Sequence, residues 1–351
     1  MGEEEKARVM EVMDEGMLAD GPEVRSFERE FADYVEADHG VATSNGTTAL
    51  HAAMKAIDVG PGDTVVTTPF TYIATANAVS FCNADIELVD IDPETYNIDP
   101  DALEARLADG LDVDAVIAVH LYGLPAAMGR LRELADEYDF ALVEDAAQAH
   151  GAAVDGTPVG SLGDVACFSF YPTKNMTTGE GGMITTNDED LAVRARRFVD
   201  HGRTEGYDHP EVGHNFRMTS IAAAIGRVQL DRLPGYIDSR RENARVLTER
   251  LTDTAVTTPV EPDGFRHTYN QYTLRYEARD DLMAALEDAG VGSKVYYPKP
   301  VHMQGAYDHL DVSAPVTERA VNEVLSVPVH PQLSEADVRA VADAVREAVS
   351  R

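Results

Sequence analysis

Lys174 stands in the run Phe168-Ser169-Phe170-Tyr171-Pro172-Thr173-Lys174-Asn175, ahead of the turn Gly179-Glu180-Gly181-Gly182. The chain keeps only five lysines, Lys6, Lys55, Lys174, Lys294 and Lys299, against 62 acidic residues. A lysine, unlike an arginine, can give up its proton and attack a carbonyl carbon. Lys174 is therefore a candidate covalent anchor for an aldehyde cofactor. Read alone, it is a solvated loop lysine.

Three further clusters offer what a phosphorylated aromatic aldehyde needs. In Ser44-Asn45-Gly46-Thr47-Thr48-Ala49-Leu50 a turn of small residues opens a helix, and free N–H groups at such a start attract phosphate. The same residues cap helices that bind nothing. Glu144-Asp145-Ala146-Ala147-Gln148-Ala149-His150-Gly151 follows an apolar strand, so Asp145 arrives where parallel sheets bind ligands. There Asp145 can hold a pyridine nitrogen protonated, Ala147 leaves room for a flat ring, and Gln148 can reach a ring hydroxyl. A metal ligand or a helix cap is the alternative for Asp145. His150 reads as a structural hydrogen-bonding residue. Pro69-Phe70-Thr71-Tyr72 supplies aromatic faces for stacking, although core packing is the commoner use. Ser169, five residues before Lys174, offers a hydroxyl to phosphate.

The elements that must carry these residues form an α/β pattern. Short apolar runs at 64–67, 86–89, 115–119, 141–144, 165–170 and 183–185 predict strands, with amphipathic helices at 47–57, 74–81, 102–108 and 128–138 between them. A mostly parallel sheet follows. A long helical stretch over 219–251, interrupted at Leu233-Pro234-Gly235, leads to an alternating strand at 268–276 and helices at 280–289, 317–325 and 334–349. The division expected is a large α/β domain over 1–235 and a smaller α+β domain over 236–351.

At 351 residues with 44% hydrophobic content and no long apolar run, the chain reads as a soluble, cytoplasmic protein. Cys82 and Cys167 form no CxxC pair and are expected as free, buried thiols. The formal net charge of -33 is spread along the chain, which argues against nucleic-acid phosphates as partners. Its even spread and the scarcity of lysine point to a salty, halophilic cytoplasm, where screening relieves self-repulsion.

The combination resembles the DegT-type sugar aminotransferases, pyridoxal-phosphate enzymes of the aspartate aminotransferase fold. The runs that carry the resemblance are Ser44-Asn45-Gly46-Thr47, Glu144-Asp145-Ala146-Ala147-Gln148, Lys174 through Gly182, His214-Asn215-Phe216-Arg217-Met218 and Val295-Tyr296-Tyr297-Pro298. The resemblance implies Lys174 as the Schiff-base lysine, Asp145 facing the pyridine nitrogen, Gln148 near the ring oxygen and Tyr72 stacked on the ring. Gly46, Thr47 and Ser169 would hold the phosphate, and Asn215 would reach it from the other subunit of a homodimer. Tyr297 and His302 match a substrate-side region; either can instead pack the domain interface. The implied reaction moves an amino group, from glutamate by resemblance, to a keto nucleotide sugar of polysaccharide biosynthesis. Two other readings stand beside it. One is a non-catalytic, cofactor-binding regulator on the same scaffold. The other is a nicotinamide-dependent sugar oxidoreductase, disfavoured because no GxGxxG turn follows a predicted strand.

Overall fold

The computed structural model describes residues 1–204 and 206–350. Two helices, α1 (Glu3–Glu15) and α2 (Pro22–Tyr34), precede the alternating pattern. Then come β1 (His39–Thr43), α3 (Gly46–Ala56), β2 (Thr64–Thr67), α4 (Ala74–Phe81), β3 (Asp85–Leu88), α5 (Pro100–Ala108), β4 (Ala115–Val119), α6 (Met128–Tyr138) and β5 (Ala141–Asp145). Two short strands, β6 (Ala153–Val154) and β7 (Thr157–Pro158), lead to β8 (Val165–Ser169), β9 (Gly182–Thr186) and α7 (Glu189–Val199). The strands β1-β9-β8-β5-β4-β2-β3 make one seven-stranded sheet in that order. β9 pairs antiparallel with both β8 and β1; the pairs from β8 to β3 are parallel.

Side chains along these strands alternate between the sheet's two faces, as the period of two requires. Val41, Val65, Ile117, Val143, Val165 and Ile184 pack with α3, α4 and α7 on one face. Ala42, Ala166, Phe168 and Met183 pack with α2 and α8 (Ser220–Leu251) on the other. Phe27, Phe31, Phe168 and Phe170 are fully buried there, each contributing roughly 1.5–3 kcal/mol over exposure. Cys82 and Cys167 are free and buried.

Helix α8 runs unbroken through Pro234, contrary to the predicted interruption. Pro234 and Gly235 are exposed, and on the solvent side water can replace the hydrogen bond that a proline cannot donate. Residue 235, the expected domain boundary, lies inside this helix. Its second half packs with β11 (Tyr272–Arg275), α9 (Arg279–Asp288), β12 (Val324–Val327) and α11 (Glu335–Val349) around Leu247, Tyr272, Leu274 and Leu325. The strand at 268–276 is thus shorter than its alternation suggests, and buried rather than half-exposed, because β12 pairs with it and helices cover it. Between α9 and β12 lies α10 (Pro315–Glu323), and β10 (Phe265–Arg266) pairs with β6. No helix among the described residues is long and apolar enough to cross a membrane.

Candidate active site

The four clusters read as cofactor-binding each follow a strand of the large sheet. Asn45 and Gly46 follow β1, Tyr72 follows β2, Asp145 ends β5, and Ser169 ends β8 ahead of Lys174. Asn45 caps α3: its Oδ1 accepts from Thr48 N at 2.9 Å, and Asn45 N donates to Thr48 Oγ1 at 3.1 Å. That box leaves the N–H groups of Gly46 and Thr47 without an acceptor among the described residues. Two glycines bring this helix start against the sheet. A methyl group at residue 182 would lie 2.5 Å from Asn45 O, and one at residue 46 would lie 2.7 Å from Ser169 Cβ. Gly46 is therefore needed for contact with Ser169 as well as for access to the backbone. The free N–H groups and the Ser169 hydroxyl meet at the positive end of a helix, which suits a phosphate. Gly46→Ala should force the helix start and Ser169 apart. Titration of the apoprotein with pyridoxal phosphate should show affinity lowered roughly tenfold, about 1.4 kcal/mol.

Asp145 is only 6% exposed. Its Oδ2 accepts from the Thr75 hydroxyl at 2.7 Å and its Oδ1 from Ala147 N at 3.2 Å. Thr75 is itself held by Thr71, 2.9 Å away. No arginine, lysine or histidine of the described residues forms a salt bridge with it. A buried carboxylate without a cation is costly, and an added cationic ring nitrogen would complete it. The strand end is fixed by Glu144, whose carboxylate accepts from Gly160 N, Leu162 N and Gly163 N. The His120 Nδ1 accepts from Ala126 N at 2.9 Å, so Nε2 carries the proton and donates to Glu144 Oε2 at 3.0 Å.

Lys174 Nζ makes no hydrogen bond or ion pair with the described residues, and burial lowers its pKa from 10.5 to about 8, partly offset by the Asp145 charge. The amine is nucleophilic only when neutral. Capture of an aldehyde by the apoprotein should therefore accelerate as pH rises and level off above about 8, as stopped-flow absorbance would record. The linkage has the same sign. Between pH 8 and 10.5 the unfolded lysine keeps a proton that the folded one has released, so apoprotein stability rises with pH across that window.

Gln148 is held at both ends of its amide. Its Oε1 accepts from Tyr122 N at 2.7 Å, and its Nε2 donates to the Tyr297 hydroxyl at 2.9 Å. Burial raises the Tyr297 pKa, with the Asp145 charge adding to the shift, so its proton stays on. The ring of Tyr72, 60% exposed, sits 5.9 Å from that of Tyr297. Asp145, Gln148, Tyr72 and Tyr297 thus share one site, with Lys174 close enough to feel the Asp145 charge. The buried His302 has its Nε2 3.5 Å from Glu318 Oε1 on α10. Asn215 is exposed, accepting from Arg217 Nε at 3.1 Å. The His150 ring packs against Phe31, Phe168 and Phe170; neither ring nitrogen completes a hydrogen bond of good geometry, although the Ser169 backbone acts on the ring, and burial lowers its pKa to about 3. The residue that sequence reasoning missed is Thr75, signalled only by the Thr71/Thr75 spacing of one helical turn.

The model of the DegT/DnrJ/EryC1/StrS aminotransferase family matches residues 1–346. The chain belongs to that family. Its cofactor is pyridoxal phosphate, and the buried unpaired carboxylate, the free donors at 46, 47 and 169 and the unpaired lysine fit that group. The chain is 37% identical to the UDP-N-acetyl-3-dehydro-alpha-D-glucosamine 3-aminotransferase of Acidithiobacillus ferrooxidans, over 95% of this chain and 91% of the relative. It is 40% identical to a pleiotropic regulatory protein of Geobacillus stearothermophilus, over 98% and 95%. Among solved structures it resembles DesV of S. venezuelae in complex with a ketimine intermediate, with a TM-score of 0.96 and 37% identity over 99% of this chain and 95% of that one. The sheet and the helices around it agree with the expected fold.

Proposed function

We propose that the protein transfers an amino group from glutamate to a keto sugar carried on a nucleotide, with Lys174 as the proton-moving base. The observation that carries this is the pairing of an unbonded lysine of lowered pKa with a buried, cation-free Asp145 at one end of a parallel sheet. Relatives named as nucleotide-sugar aminotransferases support the substrate class. Bound pyridoxal phosphate supplies an aldehyde to take up the amino group and a ring to spread the negative charge. Gly46 N, Thr47 N and the Ser169 hydroxyl would hold its phosphate, and Asp145 would keep its ring nitrogen protonated. Gln148 and Tyr297 would border the ring oxygen, and Tyr72 would cover a ring face. Lys174 Nζ would take the proton from the donor's α-carbon and hold it for return. Tyr297 and His302 line the sugar side.

Exposed Asn215 reaches the site of a second copy in a homodimer. The soluble, cytoplasmic setting is salty, and the -33 charge makes the fold salt-dependent. The melting temperature should fall as salt is diluted from about 2 M, where screening is nearly complete, toward buffer alone; an unchanged melting temperature would remove the halophilic reading. The function itself is tested by incubating the purified protein with glutamate and a panel of keto nucleotide sugars. Amino-sugar product with release of 2-oxoglutarate is expected. The relative named as a regulatory protein keeps a second reading, cofactor binding without turnover, in view. A bound chromophore that no amino donor bleaches would establish that reading instead.

A further inference from the structure

Thr75 is fully buried in the first turn of α4, and its hydroxyl serves no backbone group. It lies 2.9 Å from the Thr71 hydroxyl and 2.7 Å from Asp145 Oδ2, on a strand end 70 residues away. The order of the protons follows from the chemistry. An ionised carboxylate only accepts, so Thr75 donates to Asp145 and Thr71 donates to Thr75. The 2.7 Å separation is that of a charge-assisted bond, and the hydroxyl behind it polarises it further.

The Asp145 carboxylate has little else to hold it. Its Oδ1 accepts from Ala147 N at 3.2 Å, and these two bonds are all that the described residues supply. Rotation about the last side-chain bond of an aspartate is broad, so one long contact leaves the carboxylate plane free, whereas donors on both oxygens set it. Hydrogen bonds to a carboxylate also favour its charged form. The same turn carries Tyr72, whose ring stands beside that of Tyr297. Thr75 N donates to Tyr72 O at 3.1 Å, so residues 72–75 set both an aromatic wall of the site and the grip on its anion.

We propose that Thr75, with Thr71 behind it, is a positioning residue: it aims the Asp145 carboxylate and holds it charged, so that the proton between that carboxylate and the cofactor's ring nitrogen stays on nitrogen. The inference rests on the aminotransferase reading and deepens it. A carboxylate short of one donor takes that proton for itself, and the ring loses the charge by which it draws electrons. Thr75 does all this without touching cofactor or amino donor.

The test uses the holoenzyme of Thr75→Val, which removes the hydroxyl and keeps the branched outline, with Thr75→Ser as the rescue. The maximal rate of cofactor bleaching by L-glutamate should fall about tenfold in Thr75→Val at an unchanged half-saturating concentration, and stay within about twofold in Thr75→Ser. NMR of bound pyridoxal phosphate carrying the heavy nitrogen isotope reads the proton directly. The wild type and Thr75→Ser should show a protonated ring nitrogen, and Thr75→Val a signal moved toward neutral pyridine. A role in packing alone would lower the melting temperature and leave that signal in place. Thr71→Val, which leaves Asp145 its donor, should slow bleaching about threefold and keeps the relay testable should Thr75→Val fold poorly. On an Asp145→Asn background, Thr75→Val should cost no more than about twofold further, because the charge it serves is already gone. An unmoved nitrogen signal in Thr75→Val, or a full further tenfold loss on the Asp145→Asn background, overturns the assignment. Should L-glutamate fail to bleach the wild type, the aminotransferase reading falls, and the nitrogen signal still decides the role of Thr75.

Discussion

Lys174→Ala lowers turnover by about 10⁴-fold or more, the upper end of what one acid–base group contributes, and leaves the fold intact. The fold survives because Lys174 Nζ forms no hydrogen bond or ion pair with the described residues, and removing a half-buried amine ends a desolvation cost. Circular dichroism and the melting temperature of the apoprotein should match or exceed the wild type at pH 7, where the buried amine is protonated and most costly. Neither His150 nor Tyr297 can replace the base. His150 is shut among phenylalanines with its pKa near 3, and Tyr297 has its pKa raised, which keeps it protonated. Among the other lysines, Lys6 pairs with Glu3, Lys55 donates to Val59 O, and Lys294 lies over the Tyr296 ring. Added methylamine should restore part of the rate, because a small amine can enter the space left by the side chain. A wild-type rate in Lys174→Ala would overturn the mechanism.

Much of this arrangement was legible because two simple rules met. Apolar runs of four or five residues gave the parallel strands, and ligands collect where such strands end, so polar clusters placed after those runs marked one region. β1 and the two N-terminal helices were not seen. His39–Thr43 contains two β-unfavourable residues and is a strand because it pairs with β9, a partner distant in sequence. Proline at 234 signals a break that tertiary packing overrides, since Leu233 and Ile237 on the buried side hold α8 in the core beside the sheet. Gln148 was legible as a site residue but not its clamping between Tyr122 and Tyr297, which come from loops 26 and 149 residues away. His150 misled for a physical reason. A histidine after a strand suggests hydrogen bonding, yet this ring is used as a flat apolar surface beside three phenylalanines.

Asp145→Asn separates the electrostatic part of the site from its shape. The amide keeps the carboxylate's outline; its oxygen can accept from Ala147 N while its NH2 faces the Thr75 hydroxyl, which can turn to accept from it and donate to Thr71, so folding should change little. The charge is what disappears. A ring nitrogen facing a neutral amide gives up its proton, and the charge spread that the reaction needs weakens, costing about 10³-fold in turnover, near the upper end for loss of one preorganised charge interaction. The second consequence is independent of turnover. Asp145 is the one group that raises the Lys174 pKa against burial, so without it the amine becomes less basic and capture of the cofactor should reach its plateau below the wild-type pH of about 8. Asp145→Ala should behave differently, since it leaves the Thr75 hydroxyl without its acceptor and adds a cavity; stability falls along with activity. The isosteric variant therefore tests the charge and the truncation tests the packing. Wild-type turnover in Asp145→Asn would mean that no cationic ring nitrogen depends on this carboxylate.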